Sequence, residues 1–97
     1  MATMRVEPVE IYADTSNFAV MRHPGRRFPG SLVQGDSLHL LTQEAEQLYA
    51  ALRSSSDEDL RTLAQMHCEA LQSRLQHYEQ VLREHQLQLP YFRSTGA

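Results

Sequence analysis

Between Val6 and Tyr12 apolar and polar residues alternate: Val9 and Ile11 fall on one side, Glu10 and Tyr12 on the other. Period two is the mark of a half-buried strand. Pro8 cannot donate to a ladder, so this strand lies at an edge or begins after Pro8. Asp14, Thr15, Ser16 and Asn17 form a polar turn. Phe18 to Arg22 reads as a second strand, the hairpin partner of the first. Ser31 to Gln34 reads as a short third strand stopped by Gly35.

The period then changes. Leu38, Leu41, Ala45, Leu48 and Leu52 recur at steps of three and four, which places them on one helix face. Asp36 or Ser37 suits the N-cap. Arg53 to Ser56 breaks the pattern, and Ser55-x-x-Glu58 has the form of a capping box, with Asp57 and Asp59 beside it. Leu60, Ala64, Cys68, Leu71, Leu75, Tyr78 and Leu82 then make one stripe along a long second helix. Helices joined by so short a connection pack antiparallel.

The expected fold is therefore α+β. A three-stranded antiparallel meander (residues 6–34) is followed by a two-helix hairpin, with a first helix over 36–53 and a second over 57–86 (β-β-β-α-α). The stripe of the second helix is expected to cover the sheet and the first helix. Were Leu75, Tyr78 and Leu82 exposed, they would instead form a homodimer seam. Residues 89–97 form a tail in which Leu89-Pro90-Tyr91-Phe92 is apolar and expected to dock on the sheet. Residues 1–5 are expected to be loose and 94–97 to fray.

Composition narrows the class. The chain has 97 residues, which suits one domain, and its 41% hydrophobic content is that of an ordinary globular protein. The net charge of −3 excludes a strongly basic nucleic-acid binder. All nine basic residues are arginine, which points first to the codon usage of a GC-rich genome. With one cysteine, Cys68, there is no internal disulfide. No apolar run reaches membrane-spanning length, and the N-terminus lacks an apolar signal core. A cytoplasmic protein without membrane association is expected.

Candidate chemistry is sparse. His23, His39, His67, His77 and His85 show neither i, i+4 pairing nor a metal-ligand motif. His67 and Cys68 are adjacent, so on a helix they diverge by about 100°. Cys68 falls mid-helix on the apolar stripe, far from the helix N-terminus that lowers a thiol pKa. There is no serine-nucleophile motif. No metal, no cofactor and no enzymatic activity are expected.

One segment remains. Arg22-His23-Pro24-Gly25-Arg26-Arg27-Phe28 packs three arginines, a histidine and an aromatic into seven residues. Pro24-Gly25 and Pro29-Gly30 both match a type II turn, in which proline presets the first central position and glycine supplies positive φ at the second. A shaped loop of this kind loses little entropy on binding. Arg22, His23, Arg26, Arg27 and Phe28 are the candidate binding residues, for an acidic protein surface, a phosphate ligand or RNA. An enzyme built around His23 would need a concave pocket beside the loop. The alternative is a surface loop whose arginines pair with the chain's own acids and whose Phe28 inserts into the core.

The stretch from Phe28 to Leu38, with Pro29-Gly30 and Gln34-Gly35-Asp36-Ser37, resembles HicB-type antitoxins over residues 5–52. The resemblance implies a sheet and helix that bind and neutralise a small toxin. Such antitoxins usually return from this helix to another strand and often carry a DNA-binding segment; here a long second helix follows. The fuller pattern is similar to a family of small uncharacterised bacterial proteins. They share Arg22-His23-Pro24-Gly25-Arg26-Arg27-Phe28-Pro29-Gly30 and Gln34-Gly35-Asp36-Ser37, and end in His77-Tyr78-Glu79 and Leu89-Pro90-Tyr91. The expected function is a protein-binding module of antitoxin or immunity type. A nucleic-acid or phosphate binder working through the arginine loop ranks second.

Overall fold

The computed structural model describes residues 3–92. It has the expected order, β1 (Glu10–Ala13), β2 (Val20–Arg22), β3 (Gly30–Ser31), α1 (Gly35–Leu52) and α2 (Glu58–Glu84). The chain divides into two compact units, one up to Gln34 and one from Gly35. The frayed end expected over 94–97 lies outside the described residues, as does the start of the loose segment expected over 1–5.

The first unit is an antiparallel meander in the order β1-β2-β3. Glu10 faces Arg22 and Ile11 faces Met21; the register then slips between Ile11 and Ala13, so that Tyr12 is the extra residue of a bulge. The strands are shorter than their patterns predicted. β1 starts after Pro8 rather than at Val6, because proline cannot donate to the ladder. Phe18 stays in the bend, its N–H taken by Ser16 Oγ at 3.1 Å, so β2 starts at Val20. β3 ends at Ser31 rather than Gln34, although Leu32 N–H still donates to Ala19 O at 3.0 Å.

Strand alternation sorts the sheet into two faces. Val9, Ile11, Ala19, Met21 and Leu32 share an apolar face with Gly30. Glu10, Tyr12, Arg22 and Ser31 share the other, more polar face, which also carries Val20 opposite Ser31.

In the second unit α1 packs antiparallel on α2. Gly35 lies against Tyr78 and Thr42 Oγ1 lies 3.5 Å from Leu71 O. Seven residues up one helix thus match seven down the other, the heptad repeat of a coiled-coil-like seam. The stripe of α2 is nearly as read: Ala64, Cys68 and Leu75 are buried, and Leu71, Tyr78 and Leu82 are half-buried, but Leu60 is exposed and Arg61 takes its place. Leu75, at 5% exposure, is core of the hairpin.

The face of α1 differs from its reading. Gly35, Thr42 and Ala45 are buried, whereas Leu41 and Leu48 are 45% and 51% exposed. Thr42 tolerates burial because its hydroxyl donates to Leu38 O at 2.8 Å, satisfying itself within the helix. Gly35 is the first helical residue, not a strand stop, and Asp36 lies within the first turn rather than at the cap. A Cβ at 35 would fall inside the Tyr78 ring, so the close approach there demands glycine.

The N-cap of α2 is Asp57, whose carboxylate accepts from Leu60 N–H at 3.1 Å. Ser55 acts one step earlier, accepting from Asp57 N–H at 3.1 Å. It therefore shapes the turn into the cap rather than forming the capping box read with Glu58. Arg61 reaches back to Ser55 O and ties the connection to the helix.

α2 ends at Glu84 in a Schellman motif. Leu87 N–H donates to Leu82 O at 2.8 Å and Gln86 N–H to Arg83 O at 3.1 Å. The motif needs a left-handed residue, and Gln86 supplies it at φ 60°. That conformation costs a non-glycine residue about 1 kcal/mol or more. Gln86→Gly removes the cost but widens the unfolded ensemble, which returns part of the gain. The expected net result is stabilisation by about 0.5 kcal/mol, read as a higher urea midpoint at unchanged slope.

The turn carries the tail back onto the helix pair. Tyr91 stacks on His39 with ring centroids 4.0 Å apart, and its hydroxyl donates to the buried Glu79 carboxylate at 2.8 Å. No helix among the described residues is long and apolar enough to cross a membrane.

Candidate functional site

The loop after β2 is held by one turn. Arg26 N–H donates to His23 O at 3.0 Å, and Gly25 between them has φ 82°. Proline at the second position and a left-handed glycine at the third make this the type II turn expected of Pro24-Gly25. His23 Nδ1 lies 2.7 Å from Pro24 O, which fixes the imidazole against the turn. The second pair behaves differently. Gly30 has no positive φ and begins β3, so Pro29-Gly30 leads into a strand rather than forming a type II turn.

The three arginines of the segment have separate fates. Arg22 grips Glu10 across the β1–β2 ladder in a two-pronged ion pair, Nε to Oε1 at 2.8 Å and Nη2 to Oε2 at 2.7 Å. Tyr12 donates to the same Oε1 at 2.6 Å. The Arg22 guanidinium first, and the Tyr12 hydroxyl second, hold the Glu10 carboxyl below the usual carboxylate range. The Glu10 contact in turn raises the pKa of both Arg22 and Tyr12. The sign follows: the contribution of this pair to stability is present at neutral pH and fades as pH falls through the lowered Glu10 pKa.

Arg26 and Arg27 make no ion pair among the described residues. The Arg27 guanidinium carbon lies 5.6 Å from the centroid of the Phe28 ring. Phe28 itself is 72% exposed, so it is not a core residue. The segment is thus a neutralised base (Arg22) carrying a hydrogen-bonded turn, with Arg26 and Arg27 outside any ion pair among the described residues and Arg27 set over the exposed Phe28 ring.

Two hollows flank the turn, and His23 and Arg26 line both. One is apolar, about 280 Å³ in volume, and lies on the apolar face of the sheet. Val9, Met21, Phe28 and Leu32 form its walls, with Gly30 and Ser31 along one side. The other, about 470 Å³, is polar and runs between Pro8-Val9-Glu10 and Arg22 to Arg26. Glu10 lines it with His23, but both carboxylate oxygens are engaged by Arg22 and Tyr12. The pair is therefore poorly placed for acid–base work, which needs a carboxylate free to orient or protonate the imidazole.

Sequence reading found the loop but not these walls. Val9 precedes β1, Met21 lies in β2, and Gly30 and Leu32 lie at the start of β3 and just beyond it, and only the strand register brings them together. Glu10 was visible as a strand residue, yet nothing in its neighbourhood marked it as the partner of Arg22, twelve positions away.

Elsewhere the titratable groups are dispersed. Cys68 is buried in the helix seam, and burial first, then the Glu46 and Glu69 charges, push its thiol pKa up, away from the reactive thiolate. Among the described residues no three His, Cys, Asp or Glu side chains gather as metal ligands would.

No curated protein and no solved structure matches the chain. A family model does, over residues 4–91, spanning both units and all the elements of the site. The chain belongs to the family of unknown function DUF6959.

Proposed function

We propose that this chain is a protein-binding module that masks a partner, acting in the cytoplasm without catalysis. The observation that carries this reading is the 22–28 loop. Arg26 and Arg27 lack ion pairs among the described residues and Phe28 is exposed, on a turn locked by its own backbone hydrogen bond. Arginines and aromatics are the side chains that dominate binding energy at protein interfaces. A surface already fixed in its bound shape loses less entropy on association.

The resemblance of the Phe28–Leu38 stretch to HicB-type antitoxins makes a small toxin the first partner class to test. The same resemblance suggests a bacterial source. DNA binding is left out of the proposal, because α2 stands where such antitoxins continue differently. A homodimer through α2 would have to use its outward leucines, Leu60 and Leu63, since Leu75 faces α1.

A second reading, as a nucleic-acid or phosphate binder, is favoured by the same free pair of arginines. It differs in its salt response, since phosphate contacts weaken steeply with ionic strength.

The test is affinity capture of the tagged full chain from its native cells at moderate salt, with mass spectrometry of what is retained. One stoichiometric protein is expected, and expressing that protein alone should arrest growth that co-expression of this chain restores. Recovery of nucleic acid, released as salt rises, would favour the second reading and contradict the first.

A further inference from the structure

We infer that the apolar hollow beside the turn is the anchor site for one hydrophobic side chain of a protein partner, with an acidic residue next to it meeting Arg26. This rests on the protein-binding reading above and specifies the partner's chemistry.

Size comes first. At about 280 Å³ the hollow lies just under the roughly 300–1,000 Å³ typical of small-molecule sites. It is large enough to take one large side chain. Lining comes second. The walls are Val9, Met21, Phe28 and Leu32, which desolvate an apolar group well, while His23, Arg26 and Ser31 supply the polar part of the lining. Charge comes third. Arg26 stands at the edge of this apolar hollow, with Arg27 next along the chain and no carboxylate paired to either among the described residues. An acidic neighbour of the anchor completes that charge, and complementary potential speeds docking and sets its register.

The sheet edge supplies the partner's conformation. β3 has only β2 beside it. The bond from Leu32 N–H to Ala19 O turns the backbone of Gly30 and Leu32 toward β2, so alternation turns that of Ser31 outward. An extended segment laid along β3 can pair with Ser31 while its anchor enters the hollow over Gly30. Strand addition with a side-chain pocket is a recurrent mode of peptide recognition.

Gly30 makes the inference testable without unfolding the protein. It begins β3 and has open space where a Cβ would stand, so Gly30→Val is expected to narrow the hollow while the strand is kept. Valine also favours a strand. The experiment selects a phage library of random 12-residue peptides against the wild-type full chain. The expected consensus is a Leu or aromatic residue beside Asp or Glu. Binding of that peptide should fall at least tenfold with Gly30→Val and with Arg26→Glu, while both variants keep the wild-type circular dichroism melt. No consensus, a consensus without an apolar–acidic pair, or equal binding to Gly30→Val would each overturn the anchor site. A 20-residue single-stranded DNA that binds through Arg26 with the same affinity in Gly30→Val would overturn it in favour of nucleic acid. If a partner is captured from cells and binds Gly30→Val as well as wild type, only the anchor inference fails. If no protein is captured, the module reading itself fails.

Discussion

Leu75→Glu is expected to destabilise the helical hairpin severely, moving its cooperative melt down by ~20 °C or more. Leu75 sits in the middle of the α1–α2 seam at 5% exposure, between Cys68 and Tyr78 on the same stripe. Removing a buried leucine costs roughly 2–5 kcal/mol by itself. The glutamate then either takes an unpaired charge into an apolar seam or binds a proton at a cost, and each adds to the loss. A total of about 4 kcal/mol or more is a large share of the roughly 5–15 kcal/mol that holds a domain of this size. It corresponds to a fall in Tm of ~20 °C or more. Circular dichroism and the rate of Cys68 alkylation read the result together, since the thiol is reached only when the seam opens. A soluble, folded monomer arising from a wild-type dimer would contradict the burial of Leu75.

Gly35→Ala is the second large effect, and its sign is the informative part. Alanine normally stabilises a helix over glycine by about 0.5–1 kcal/mol. Here the added Cβ would enter the Tyr78 ring, which is itself half-buried in the seam. Overpacking of this kind costs about 1–3 kcal/mol, so the net expectation is destabilisation by about 1–2 kcal/mol. In a Tyr78→Ala background the obstacle is gone, and Gly35→Ala should become neutral or stabilising. A double-mutant cycle in urea therefore gives a coupling of at least about 1 kcal/mol. Stabilisation by Gly35→Ala in the wild-type background would show that Tyr78 does not close on this position.

These residues also explain what the sequence made legible. The α2 stripe was readable because its core positions are filled by apolar residues at strict three- and four-residue steps. The α1 stripe was legible at Ala45, which is buried, and at Leu38 and Leu52, which are half-buried, but not at Leu41 and Leu48, which are exposed. Leu41 and Leu48 drew the eye to one side of the helix, while the seam is built from Gly35, Thr42 and Ala45. Hydropathy does not see a threonine that hides its hydroxyl in its own helix, nor a glycine whose value is the ring that fills its missing side chain. Glu79 is a similar case: its burial depends on Tyr91, brought back by the Schellman turn at Gln86. The strands were found but drawn too long, since alternation continues past the residues where Pro8 and the Ser16 bend end the ladder. At the loop, composition singled out seven residues that the structure places on and beside one hydrogen-bonded turn. The division of labour among them, with Arg22 neutralised and Arg26 and Arg27 free, follows from a cross-strand register that no local pattern carries.

The central claim is that the 22–28 loop is the surface on which a protein partner docks. The measurement is a parallel capture from native cells with two baits, the wild-type chain and Arg26→Glu/Arg27→Glu, quantified by isotope-ratio mass spectrometry at moderate salt. Both positions are exposed and lack ion pairs among the described residues, so the variant is expected to melt as the wild type does. The account predicts one protein retained by the wild-type bait and depleted at least tenfold on the variant. The same protein retained equally by both baits would contradict it.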